Sequence, residues 1–131
     1  VIVSMVPSCL FTPISIVPSC LYTEPEIASV GLTETQAREK GVQIRVGRYD
    51  MKGNGQQIIS RETGGFIKVI FAANSDVLLG AQIMCARATD MIGELATALA
   101  NGLTSTQLMY AMRARHLMKR FPVRWRTAEI I

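Results

Sequence analysis

The chain has 131 residues, 49% of them hydrophobic and 18% charged, with a mean hydropathy of +0.25. That length suits one domain, which buries roughly two-thirds of its unfolded surface and needs no disulfide or metal to fold. The balance is too apolar for a disordered tail and too interrupted for a membrane protein. The three cysteines, Cys9, Cys20 and Cys85, are dispersed, so they form neither a disulfide framework nor a zinc ligand set and fit a reducing, cytoplasmic compartment.

The net charge of +4 is unevenly placed. Residues 1–112 carry 8 Lys/Arg against 9 Asp/Glu, whereas the last 19 residues hold Arg113, Arg115, Lys119, Arg120, Arg124 and Arg126 against Glu129 alone. Phe121 and Trp125 lie within this basic tail, a composition that can follow a phosphate backbone. No reading motif accompanies it, so a solvated end is expected and nucleic acid is not the expected partner. The opposite end, Val1 to Thr23, has no charge. Pro7, Pro13 and Pro18 interrupt it, which argues against a membrane span, and no basic segment precedes it, which argues against a secretory signal. It also contains a near-duplicate: Val6-Pro7-Ser8-Cys9-Leu10 returns as Val17-Pro18-Ser19-Cys20-Leu21.

In chain order, Thr33-Glu34-Thr35-Gln36 has the spacing of a capping box and Gly41 follows, which predicts a short helix over 33–40 with Ala37 inward. Val42 to Tyr49 alternates and reads as a half-exposed strand with Val42, Ile44 and Val46 on one face. Lys52-Gly53-Asn54-Gly55-Gln56 is turn chemistry. The apolar runs Gly65–Ala72 and Val77–Ala86, joined by Ala73-Asn74-Ser75-Asp76, read as a hairpin at the centre of a sheet. From Thr89 to Asn101, Ile92, Leu95, Ala96 and Leu99 share a helical face, with Thr89 and Asp90 at its start and Gly102 at its end. Thr104-Ser105-Thr106-Gln107 is a second capping box, opening a helix with Leu108, Met109 and Met112. Strands run together and helices are segregated, which is an α+β domain: a mostly antiparallel sheet with helices packed on one face. Cys20, Cys85 and the methionines read as core or interface filler. Glu24 and Glu26, flanking Pro25, could suggest acid–base work, but exposed turn charges or polar interface contacts are the expected role.

Pattern alone stops there. The words Tyr22-Thr23-Glu24-Pro25-Glu26 and Ser29-Val30-Gly31-Leu32-Thr33-Glu34 go further. They are followed by Gly65-Phe66-Ile67-Lys68-Val69, Leu79-Gly80-Ala81-Gln82-Ile83 and the helix through Glu94-Leu95. This order closely resembles the C-terminal dimerisation domain of the FAD-dependent pyridine nucleotide-disulfide oxidoreductases, nearest to their dihydrolipoamide dehydrogenase branch. The resemblance implies an uncharged extension over 1–16, the dimerisation domain over 17–114 and an atypical basic tail over 115–131. Tyr22, Thr23, Pro25, Glu26 and Gly31 are the signature positions. It also implies a homodimer, and FAD and NAD(P) in a parent enzyme whose flavin and nucleotide domains lie outside this sequence. No Gly-x-Gly-x-x-Gly turn follows a strand here, and no Cys-x-x-x-x-Cys pair is present, so no cofactor is expected in this chain and no catalysis by it alone.

The family's His-Pro-x-x-x-Glu word, whose His serves the partner's active site as acid–base, would follow Ala114. Here the chain reads Arg115-His116-Leu117-Met118-Lys119-Arg120, so His116 is one place late and lacks both the Pro and the Glu. His116 is the candidate catalytic residue, displaced from the family position. The expected function is homodimerisation of such an enzyme. The alternatives are one part of an intact FAD- and NAD(P)-dependent dithiol-disulfide oxidoreductase, or a free-standing basic-tailed binding domain. Ile27, Val30 and the uncharged first 23 residues are expected to face the missing domains or a partner subunit.

Overall fold

The structure, a computed structural model, describes residues 14–51 and 64–111. Five strands form one antiparallel sheet: β1 (Ser19–Leu21), β2 (Ile27–Gly31), β3 (Ile44–Asp50), β4 (Phe66–Ala72) and β5 (Leu78–Met84), in the order β1-β2-β5-β4-β3. Among the described residues three helices accompany it: α1 (Glu34–Glu39), α2 (Ala88–Ala100) and α3 (Ser105–Tyr110). Strands and helices are segregated as the α+β reading requires, and the hairpin β4–β5 occupies the sheet interior, as its runs, apolar apart from Lys68 and Gln82, lead one to expect. The turn between them is closed by Asp76 N–H donating to the Ala72 carbonyl at 2.9 Å.

Alternation within the strands separates the apolar side chains into two groups. Ala28, Val30, Ile67, Val69, Phe71, Ala81 and Ile83 pack with α2, through Ala88, Met91, Ile92, Leu95, Ala98 and Leu99, and with Leu108 of α3. Side chains of the opposite parity, Ile44, Ile70 and Ala72, join Leu32, Leu79 and Ala37 of α1 in a smaller cluster. The long helix therefore covers one face, and the short α1 sits with residues that point the other way. A bulge lets β5 serve both groups. Ile70 pairs with Gly80 and Phe71 with Leu78, which leaves Leu79 as the extra residue and sends it to the α1 cluster while Leu78 stays with α2.

Both capping boxes form. Thr33 and Thr104 each accept from the backbone N–H three residues on, and Gln36 and Gln107 reach back to the cap N–H groups. The start of α2 differs from expectation. Its N-cap is Arg87, at φ +61°, with no side-chain cap, so Thr89 and Asp90 lie inside the first turn. Val30 also departs from expectation: it is buried against α2 at 3% exposure and faces no missing partner. Ile27, three residues before it, points to the opposite side of the sheet and is 38% exposed. The Lys52–Gln56 turn, Cys9, Met112 and the basic tail lie outside the described residues. Among the described residues no helix is long and apolar enough to cross a membrane.

Candidate functional site

The signature residues Tyr22, Thr23, Pro25, Glu26 and Gly31 all fall on the β1–β2 connection and on β2 itself, so the fold gathers them at one edge of the sheet. Tyr22 is 82% exposed, and the Thr23 hydroxyl donates to the Pro25 carbonyl at 2.8 Å, tightening a turn whose Glu24–Pro25 peptide is cis. Glu24 is exposed and Glu26 half-buried, so the two carboxylates have separate surroundings and form no acid–base pair.

Glu26 ends that turn and reaches across to α2. One carboxylate oxygen, Oε2, accepts the backbone N–H of Thr89 at 3.0 Å and the Thr89 hydroxyl at 2.7 Å. The Glu26 carbonyl accepts the Cys85 N–H at 3.1 Å. Glu26 thus supplies from 63 residues away the N-terminal cap that α2 lacks locally, and its negative charge lies at the positive end of the helix. The Thr89 hydroxyl first, then the Thr89 N–H, hold this carboxyl below its ordinary value of 4.5, with Arg87 adding to the effect. Glu26 is therefore an ionised structural anchor, which corrects the expectation of an exposed turn charge.

Gly31 closes β2 opposite Gly80. At φ +74°, a Cβ on residue 31 would lie 2.4 Å from the Leu79 carbonyl oxygen and 2.8 Å from the Gly80 Cα. A Cβ on Gly80 would lie 2.0 Å from the Leu32 carbonyl oxygen. The two glycines let the backbone leaving β2 cross the bulge of β5 at close range, where the Leu32 N–H donates to the Leu79 carbonyl at 2.9 Å.

Two polar ties complete the surroundings. Lys68 of β4 pairs with Glu34 of α1, and this contact holds the Glu34 carboxyl below its usual range. Arg45 of β3 pairs with Asp76 of the hairpin, whose carboxylate also accepts from the Ser105 hydroxyl at the start of α3.

A pyrophosphate is commonly seated on a free helix N-terminus. All three described helix starts are taken, by the Thr33 box, by Glu26 and by the Thr104 box. Among the described residues no group of three His, Cys, Asp or Glu side chains could hold a metal ion. Cys20, in β1, and Cys85, just past β5, are not joined by a disulfide. The described residues do not fit FAD or NAD(P). His116, the candidate catalytic residue, lies outside the described residues.

The description of a known family, the pyridine nucleotide-disulphide oxidoreductase dimerisation domain, matches residues 17–117. The chain is 41% identical over 91 residues to the dihydrolipoyl dehydrogenase of Bacillus subtilis, covering 70% of this chain and 19% of that protein. It is 42% identical over 88 residues to the dihydrolipoyl dehydrogenase of Rhizobium etli, covering 67% and 18%. In fold it is similar to the flavoprotein disulfide reductase RclA of Escherichia coli, with a TM-score of 0.73 at 24% identity over 86% of this chain and 25% of that one. LpdA of Mycobacterium tuberculosis has the same TM-score, 0.73, at 23% identity, over 79% and 22%. The chain spans about a fifth of the length of the curated relatives it matches. With residues 17–117 matched, this chain belongs to the pyridine nucleotide-disulfide oxidoreductase family, as its dimerisation domain.

Proposed function

We propose that this chain is the homodimerisation module of a cytoplasmic FAD- and NAD(P)-dependent dithiol-disulfide oxidoreductase of the dihydrolipoamide dehydrogenase kind, and that it does not catalyse the parent reaction alone. The observation that carries this reading is the use made of the signature residues. Thr23, Glu26 and Gly31 are spent on building the sheet edge and the start of α2, while Tyr22 remains on the surface. Ile16, Val17, Leu21 and Ile27, on β1, β2 and the approach to β1, are exposed as well. Across the sheet, Leu21 pairs with Ile27, Ile27 with Met84 and Met84 with Phe66, forming an apolar rung on the face away from α2. Apolar surface of this kind supports association with a second subunit or with the flavin and nucleotide domains of a parent chain. In this reading His116, the sole histidine, is the candidate acid–base group, one place beyond the family position.

The test is the mass of the purified chain by light scattering behind a sizing column, across a range of concentrations. A stable mass near twice 14.4 kDa is expected. A monomer throughout would refute an autonomous dimerisation module. Bound yellow flavin would instead favour the catalytic alternative, and salt-dependent retention on a polyanion the basic-tailed one.

A further inference from the structure

Helix α3 is six residues long and, of the described helices, has the least contact with the named strands and helices. Its buried side chain is Leu108, 2% exposed, which belongs to the cluster under α2. Its described backbone ties gather at the tip of the central hairpin. Thr104 forms an isolated antiparallel bridge with Val77, and the Leu78 N–H donates to the Leu103 carbonyl at 3.0 Å. The Ser105 N–H donates to the Asp76 carbonyl at 3.1 Å, and the Ser105 hydroxyl donates to the Asp76 carboxylate.

Asp76 stands at φ +59°, a left-handed conformation uncommon in residues other than glycine, asparagine and aspartate. Its carboxylate is shared between Ser105 and Arg45, which reaches it from β3. The guanidinium therefore fixes the carboxylate at the hairpin tip independently of α3. The backbone on either side of the contact is self-sufficient. The last turn of α2 is closed by the Leu103 N–H donating to the Ala98 carbonyl at 3.0 Å, and the first turn of α3 by its own Thr104–Gln107 box. Detaching α3 breaks its contacts with Asp76 and Val77 and lifts Leu108, and leaves both helix ends capped.

We propose that α3 is a strap that closes on the hairpin tip, latched by the Asp76 carboxylate on Ser105, and that it opens as a unit while the sheet and α2 stay folded. Arg45 is the positioning residue of the latch. The open form bares the seat of Leu108 and the carboxylate, so the domain presents two different surfaces at this corner.

Amide hydrogen exchange of the full chain, followed by NMR at fixed pH and protein concentration, tests this. The amides of Leu108, Met109 and Tyr110 should exchange roughly tenfold or more faster than those of Val69 and Ala81 in the interior strands. Asparagine accepts a left-handed φ, so D76N keeps the turn while removing the charge, and should speed α3 exchange about five- to tenfold. S105A should act in the same direction, and the double variant should fall short of the product of the two factors, because both changes remove one contact. R45M should speed α3 exchange and lose that effect in the S105A background. I83V trims a buried side chain of β5 whose packing survives the opening, so it should speed the sheet amides about fivefold and leave those of α3 unchanged. Exchange of α3 as slow as that of the sheet, or an α3 that follows I83V by the same factor as the sheet, would overturn the separate opening. An α3 indifferent to D76N would overturn the latch.

Discussion

Replacing Glu26 tests the architecture most directly, because its carboxylate caps a helix from a distant strand. A hydrogen bond to a charged group contributes roughly 1.5–3 kcal/mol, and a charge at a helix end about 0.3–1 kcal/mol. Oε2 accepts two donors from Thr89, in a half-buried position, so Glu26→Ala should cost about 2–3 kcal/mol. Glu26→Gln, which keeps an acceptor oxygen without the charge, should cost about 1 kcal/mol. Urea unfolding followed by circular dichroism reads this as a midpoint shift of about 1 M for the alanine variant, at one fixed protein concentration. The pH dependence sharpens the test. The folded carboxyl lies below its ordinary 4.5, so its contribution is fully present above that value and is lost as pH falls through the folded pKa. The gap between wild type and Glu26→Ala should therefore be constant near neutrality and close in acid. Glu34, also lowered, is common to both proteins and cancels in the difference. Combining Glu26→Ala with Thr89→Val should give a coupling energy above about 0.5 kcal/mol. A loss that does not change with pH, or additive single effects, would refute the tertiary cap.

Three further outcomes follow from the packing. Gly31→Ala sets a Cβ 2.4 Å from the Leu79 carbonyl oxygen at a left-handed φ, so thermal unfolding should show a loss above about 2 kcal/mol; a neutral result would refute the close crossing of β2 and β5. Leu95→Ala empties a fully buried site between α2 and the sheet and should cost about 2–5 kcal/mol in urea unfolding, and a loss under about 1 kcal/mol would mean that α2 does not cover that face. Lys68→Met removes the partner of Glu34 at a partly exposed site, so stability should change by less than about 1 kcal/mol while the Glu34 carboxyl, followed by NMR titration, moves back up towards 4.5; an unmoved titration would refute the pairing.

Local chemistry was legible where the determinants are local. Thr33 with Gln36 and Thr104 with Gln107 are three residues apart, and both boxes form where that spacing places them. The strand runs around Val69 and Ala81 declared a central hairpin because side chains apolar on both faces need cover on both. What pattern missed is long-range. Nothing near residue 88 shows that the cap of α2 comes from residue 26, since a contact across 63 residues leaves no periodic trace. The bulge at Leu79 was hidden for another reason: a shift of parity where neighbouring residues are both apolar leaves the hydrophobic pattern unchanged, so Leu78 and Leu79 look alike until the sheet divides them. Val30 was misassigned to a partner-facing surface because β2 is half-exposed, and its parity becomes visible only through pairing with Ala81.

The position of Glu26 also bears on where chemistry resides in this family's domain. A general base must be free to take a proton, and a general acid must carry one near the working pH. Glu26 does neither. Its accepting oxygen is occupied by both donors of Thr89, and its proton is held off below the ordinary carboxylate range. Glu24 is exposed on the same turn. The turn that ends in Glu26 is therefore architecture: it joins the first hairpin to the backbone at Cys85 and to the start of α2. Three occupied helix starts leave no described seat for a pyrophosphate. Residues so committed to holding elements together fit the dimerisation domain that the family match over residues 17–117 assigns to this chain.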